Sequence, residues 1–106
     1  MEDFKREAGR CDGFDIVDDE HGGLGMGGAF NFGGSGQGLG YRIDIEFVRR
    51  FMAVFRVSRL RDVNGKACWV THSHSDISKI EPLLPDEGTP FNIHAWSAEL
   101  KSKRTP

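Results

Sequence analysis

Residues Val57–Ile80, VSRLRDVNGKACWVTHSHSDISKI, carry the clearest structural signal in this chain. Asn64-Gly65 lies between two β-prone runs, and this dipeptide tolerates the positive φ angles of a type I′ hairpin turn. We therefore expect residues 57–63 and 66–74 to pair as an antiparallel β-hairpin. The second arm of that hairpin ends in a polar run that contains two histidines.

Two helices are predicted on either side of this hairpin. Asp44 offers a side-chain oxygen for the N-terminus of a helix over residues 45–55. Apolar side chains then recur at helical spacing and form a wide stripe, which is typical of a helix packed in a core: Ile45, Phe47, Val48, Phe51, Met52, Val54 and Phe55. A shorter C-terminal helix is predicted over residues 92–103, where Ile93, Trp96 and Leu100 share a face.

Glycines dominate the segment between residues 24 and 40. From Leu24 to Gly33 large apolar residues alternate with Gly, Ala and Asn, which predicts a strand with one apolar face and one almost bare face. A bare face lets another backbone come close, so we expect tight packing there, including against a second copy of the chain. Residues 33–40 are predicted to form a Gly-rich loop. Residues 1–10 have few apolar side chains and are predicted to be a flexible tail.

These segments predict an α+β fold in a single domain of residues 1–106. A small antiparallel sheet built on the 57–63/66–74 hairpin would carry the core helix 45–55 on one face and the short helix 92–103 at an edge. No apolar run approaches the roughly 20 residues of a membrane span, and no leader is visible. We therefore expect a soluble, cytoplasmic protein that has no membrane partner and keeps Cys11 and Cys68 reduced.

The charges are distributed unevenly along the chain, although the net charge is only −2. Residues 1–40 carry three basic and eight acidic side chains, whereas residues 41–66 carry seven basic and three acidic ones. The two groups could neutralise each other within the fold or stay solvated, or the arginines could face an anionic partner. A pI near 6.0 and the lack of exposed aromatic platforms argue against nucleic acid as that partner.

The histidine-rich run is the only segment with the spacing of a chemical site. On an extended strand His72, His74 and Asp76 point the same way, and two imidazoles about 7 Å apart can share a metal ion. The run VTHSHSD resembles the strand-end motif of metallo-β-lactamase-fold hydrolases, where HxHxDH binds zinc. This resemblance implies that all three residues are ligands of zinc or another divalent metal. Ile77 replaces the family's next histidine, and the chain has less than half the length of that fold. The alternative is that both histidines only form hydrogen bonds at a strand edge.

Two functions follow from these observations. The runs GSGQGLG, CWVTH and KIEPLLPDEGTPFNI and the closing helix resemble small uncharacterised proteins encoded by bacteriophages and prophages, which implies no known activity. The first prediction is a small non-catalytic interaction or accessory protein that binds a protein partner or itself, for example as a homodimer. Its contact surface would be the bare glycine face or the wide apolar helix. The second prediction is a metal-binding protein that uses His72, His74 and Asp76, including as a metal-dependent hydrolase. No catalytic residue and no organic cofactor are predicted.

Overall fold

The structure is a computed structural model that describes residues 3–18, 23–42 and 44–104. The strands are β1 (Lys5–Asp18), β2 (Leu24–Asn31), β3 (Gly36–Arg42), β4 (Ala67–His72), β5 (Ile77–Pro82) and β6 (Phe91–Asn92), and the helices are α1 (Ile45–Phe55) and α2 (Ile93–Arg104). All strands join one antiparallel sheet of six, in the order β3-β2-β1-β4-β5-β6. The α+β class, the core helix and the C-terminal helix are therefore confirmed. No helix of the described residues has the length and apolar character that a membrane span requires.

Helix α1 forms where the local sequence predicts it. Asp44 has an extended backbone, and its side chain accepts hydrogen bonds from the amides of Glu46 and Phe47 at 2.9 and 3.2 Å. The helix ends at Phe55, and Arg56 caps it with a left-handed φ of 53°. The buried side of α1 consists of Phe47, Phe51, Val54 and Phe55. Because this stripe is used inside the protein, the wide apolar helix is not an open contact surface.

The sheet curls around an aromatic core. Strands β3 and β6 lie at opposite edges, yet Tyr41 of β3 and Phe91 of β6 both contact the same two rings. The ring of Phe47 lies 4.4 Å from Tyr41 and 5.2 Å from Phe91. Trp96 of α2 lies 5.8 and 5.9 Å from the same two partners. The two edges of the sheet are thus drawn towards each other, with the helices on the concave side.

The predicted 57–63/66–74 hairpin is wrong. Residues Leu60–Val63 form a short 3-10 helical turn instead of a strand. Strand β4 begins at Ala67, ends at His72, and pairs with β1 on one side and β5 on the other. The hairpin of this region is therefore β4–β5, one element later than expected.

The Asn64-Gly65 turn shows why the earlier pairing fails. Asn64 has φ −64° and ψ 134°, and Gly65 has φ 87°, which are the angles of a type II turn. Type II turns splay their flanking strands, unlike the type I′ turn that was expected. The side-chain amide of Asn64 bonds to both backbone groups of Phe14 in β1, at 2.8 and 3.0 Å. The Asn64 side chain thus makes the hydrogen bonds to β1 that a neighbouring strand would otherwise make.

Residues 1–10 were predicted to be a tail, but strand β1 begins at Lys5 and pairs with β4 along its first half. The sequence lacks the apolar pattern of a strand here because one core-facing position is Gly9. A methyl group at Gly9 would lie 2.8 Å from Cε1 of Phe32. The apolar cover of this part of β1 therefore comes from a side chain 23 positions further along the chain.

The predicted loop 33–40 is also corrected, because β3 already starts at Gly36. The turn between β2 and β3 is closed by a hydrogen bond of 2.8 Å from the amide of Phe32 to the carbonyl of Ser35. Gly33 supplies the positive φ of 101° in this turn. Glycine suggested a loop, whereas the ladder with β2 holds the segment extended.

Candidate functional site

The turn between β4 and β5, residues 72–76, contains all three predicted metal ligands and is called the histidine turn below. His72 is the last residue of β4 and is buried, whereas His74 and Asp76 are exposed. The amide of Ser73 donates to the carbonyl of Asp76 at 2.8 Å, which closes the turn. The chain thus leaves the extended conformation after His72, and the predicted alternation of His72, His74 and Asp76 on one strand face does not occur.

The imidazole of His72 connects three strands. Its Nε2 lies 2.7 Å from Oε1 of Glu7 in β1, and its Nδ1 lies 2.6 Å from Oε1 of Gln37 in β3. Its ring stacks on Phe32, with centroids 4.5 Å apart and planes 4° apart. An imidazolium donates from both nitrogens and matches both oxygens, whereas a neutral ring requires the Gln37 amide to turn its NH₂ group inward. Both ring nitrogens of His72 therefore have hydrogen-bond partners within the chain.

The same contact changes the acidity of Glu7. The hydrogen bond with His72, helped by the charge of Lys5, holds the pKa of the Glu7 carboxyl below its ordinary value. Hydrogen bonding to an ionised carboxylate stabilises that form. The sequence gives no signal for this arrangement, because Glu7 and Gln37 are 65 and 35 positions away from His72.

Asp76 has a different partner. Its Oδ2 lies 2.6 Å from Nε2 of His94 in the first turn of α2, and its Oδ1 accepts from the amide of Ile77. The His94 ring also meets the edge of Phe4, with centroids 5.6 Å apart. This pair is half-exposed and lies beside a cavity of about 550 Å³ between β3, β5 and α2. The apolar lining of the cavity comes from Leu39, Tyr41, Phe47, Ile77, Ile93 and Ala98.

A second cavity, of about 320 Å³, is lined by both His72 and His74, together with Asp3 and Lys5. The structure therefore brings the two histidines to one cavity and turns Asp76 towards the other. Within residues 3–18, 23–42 and 44–104, no three His, Cys, Asp or Glu side chains are grouped to hold a metal ion. Metal binding by His72, His74 and Asp76 stays a prediction from the sequence.

Cys11 and Cys68 are buried free thiols on the neighbouring strands β1 and β4. The hydrogen bond with Cys68, together with burial, raises the pKa of the Cys11 thiol far above its ordinary value. A thiol that stays protonated is a poor nucleophile and a poor metal ligand. These cysteines are therefore core side chains.

The convex side of the sheet is the outer face, formed by every second residue of each strand. On β4 and β5 it carries Trp69 and Glu81, and Arg6 of β1 stacks 4.4 Å above the Trp69 ring while bonding to Glu81 at 3.1 Å. Along most of β2 and β3 the outer-face positions hold small residues, including Gly27, Ala29, Gly36, Gly38 and Gly40. None of these residues belongs to the hydrophobic core.

Part of the outer face is not closely packed against any described part of the chain, although a methyl group at Gly36 would lie 3.2 Å from the carbonyl oxygen of Phe30. A methyl group at Gly27, Gly38 or Gly40 would meet its nearest atoms at 3.7 to 3.9 Å, which is ordinary contact. The close approach that the sequence predicts for this face occurs on the opposite one, where a methyl group at Gly28 would overlap the ring of Phe14. Within the described chain, the predicted tight packing does not occur at Gly27, Gly38 and Gly40, and packing of this face against a second copy stays a prediction.

The two edges of the sheet differ. Strand β6 is two residues long, whereas β3 is seven residues long and pairs only with β2 among the described strands. Proteins usually protect a long edge with Lys, Pro or a bulge. The sequence of β3, GQGLGYR, contains neither residue, and its register with β2 is continuous. It carries a single charge, at Arg42.

The backbone of β3 alternates between β2 and the open edge. Because Phe32 bonds to Ser35, the hydrogen-bonded pairs of this ladder recur at every second residue from there, beginning with Phe30 and Gln37. The odd-numbered residues of β3 therefore bond to β2. The amides and carbonyls of the even-numbered residues, from Gly36 to Arg42, point away from the sheet. Gly36, Gly38 and Gly40 are exposed.

No protein family, curated protein or solved structure matches this chain. The resemblances to bacteriophage proteins and to the zinc-binding motif therefore stay predictions. The function is inferred from the geometry of the chain's own residues.

Proposed function

We propose that this chain is a small non-catalytic interaction protein that associates with a second copy of itself through the β2–β3 side of the sheet. The observation that supports the proposal is the open edge of β3, seven residues long and almost uncharged. Unpaired amides and carbonyls along such an edge form hydrogen bonds readily with another strand.

The bare outer face is compatible with the same proposal. Glycine inside a strand costs roughly 0.5–1 kcal/mol relative to alanine, and Gly27, Gly38 and Gly40 have room for a methyl group. Among the described residues, no close contact offsets this cost at these three positions.

Sedimentation velocity between low and high micromolar concentration tests the proposal. We expect the mass to rise with concentration from that of one 11.8 kDa chain towards twice that value. A single 11.8 kDa species over the whole range would contradict self-association.

Metal binding is the second candidate, because His72 and His74 line one cavity. It has less support, since both nitrogens of His72 already face oxygen atoms and Asp76 bonds to His94. On our proposal, adding zinc to metal-free protein leaves the melting temperature unchanged. A saturable rise in melting temperature that the His74→Ala variant loses would favour metal binding instead.

A further inference from the structure

We infer that β3 pairs antiparallel with the β3 strand of a second copy, about a two-fold axis that passes beside Leu39. This inference rests on the proposed self-association and adds the surface and the register. The two sheets would then form one continuous sheet of twelve strands, six from each copy.

The backbone of β3 selects this register. Hydrogen-bonded pairs can form only between residues whose amides point outward, which are the even-numbered residues from Gly36 to Arg42. Placing Leu39 opposite Leu39 brings Gly38 opposite Gly40 and Gly36 opposite Arg42, so every outward group finds a partner. The four outward residues of each copy then supply about eight hydrogen bonds between the chains. Shifting the register by two residues leaves an outward group unpaired at one end of each strand.

The side chains on the concave side of β3 face a cavity of their own chain. The 550 Å³ cavity lies along β3 and is lined by Leu39, Gly40 and Tyr41 on the strand side. Its remaining apolar wall comes from Phe47, Ile77 and α2. The concave-side row of β3, which is Gln37, Leu39 and Tyr41, is uncharged. Tyr41 stacks on Phe47 and Gln37 bonds to His72 within the same chain, so the pairing of two copies rests on the backbone of β3.

The charges and the outer face are also compatible with a second copy. The single charged residue of β3, Arg42, lies opposite Gly36, so no like charges face each other across the new ladder. On the outer face Gly38 meets Gly40, which continues the bare surface across the axis. The opposite edge of the sheet cannot form a ladder of this length, because β6 has only two residues.

Disulfide trapping tests the register. Leu39 would sit on the axis in a non-hydrogen-bonded pair, with its Cα about 4.5 Å from that of its copy, which is within disulfide range. In Leu39→Cys, two thiols give up two electrons and two protons to oxidised glutathione and form one disulfide between the chains. The control is Gly34→Cys, an exposed turn position with no atom within 4 Å of an added Cβ. Two copies of residue 34 would lie about 33 Å apart in this register. Cys11 and Cys68 are buried in both variants.

We expect Leu39→Cys to form a covalent dimer at a concentration where Gly34→Cys stays mainly uncrosslinked. Equal crosslinking of the two variants would overturn the register.

A pair of substitutions at one position gives a second test that does not depend on trapping. Gly38→Pro removes an outward amide and leaves the ladder with β2 intact, whereas Gly38→Ala keeps that amide. We expect Gly38→Pro to weaken dimerisation by about tenfold or more and Gly38→Ala to leave it nearly unchanged. Both variants should keep the wild-type circular dichroism spectrum.

The outcomes distinguish the β3 pairing from self-association in general. A wild-type chain that never associates overturns both. Association that survives Gly38→Pro and gives no preferential Leu39→Cys disulfide overturns only the β3 pairing. If wild type is monomeric and an added extended peptide protects the Gly38 amide from exchange, the occupant of the edge is a peptide and the pairing of two copies is wrong.

Discussion

The glycines on the two faces of the sheet differ in what a side chain would meet. On the concave face, methyl groups at Gly9 and Gly28 would collide with aromatic rings of the core. On the outer face, Gly27, Gly38 and Gly40 have ordinary space around them. The first pair is explained by the packing of one chain. The second group is not, because no close contact among the described residues accounts for it.

Gly28→Ala should have the largest effect on the concave face. The added methyl group overlaps the Phe14 ring, which is itself held between Phe30 at 5.3 Å and Phe51 at 4.8 Å. Because that ring cannot move without disturbing the core, we expect a loss of about 3 kcal/mol in the free energy of unfolding. Urea denaturation measures this loss. A change below about 0.5 kcal/mol would show that the core is looser than the contacts indicate.

Acid should weaken the concave face at the His72 contact. The folded-state pKa of Glu7 is lowered from 4.5 by its hydrogen bond with His72. The ionised carboxylate therefore contributes stability that is present above the unfolded-state pKa and is lost as the pH falls through the folded-state pKa. We expect Glu7→Gln to remove this part of the acid sensitivity. Urea midpoints at pH 6 and pH 3 test it, and the same pH dependence in both proteins would contradict the contact.

Gly27→Ala should have the smallest effect and the opposite sign. The added methyl group meets only Leu39 O at 3.8 Å and Val17 Cγ2 at 3.9 Å. Replacing glycine at a compatible position reduces the entropy of the unfolded chain, so the monomer should gain about 0.4–1 kcal/mol. Urea denaturation at low protein concentration measures this gain. A loss above about 1 kcal/mol would mean that the outer face is packed like the concave one.

Local signals in the sequence were sufficient for the helices. The cap at Asp44 and the apolar stripe place α1 at Ile45–Phe55, the same bounds as predicted. Helix α2 starts at Ile93, one residue later than predicted, because the side chain of Asn92 accepts from the amide of Ala95 and caps the helix. These contacts all lie within four positions of each other, which is why a local pattern reveals them.

The sheet depends on distant contacts and could be predicted only in part. Whether Asn64-Gly65 forms a type I′ or a type II turn is coupled to the bonds of Asn64 with Phe14, 50 positions away. The partners of His72 are likewise far along the chain. The composition of β3 suggested a loop, because its extended form depends on β2 and not on its own side chains. Periodicity also does not reveal which strand lies at an edge.

Amide hydrogen exchange of β3, followed by NMR at several protein concentrations, tests the central claim most directly. We predict that the outward amides of Gly38 and Gly40 exchange fast in dilute solution and become protected as the concentration rises. The inward amides of Gln37 and Leu39 should be protected throughout. Fast exchange of Gly38 and Gly40 at every concentration would contradict the claim that the glycine edge serves association.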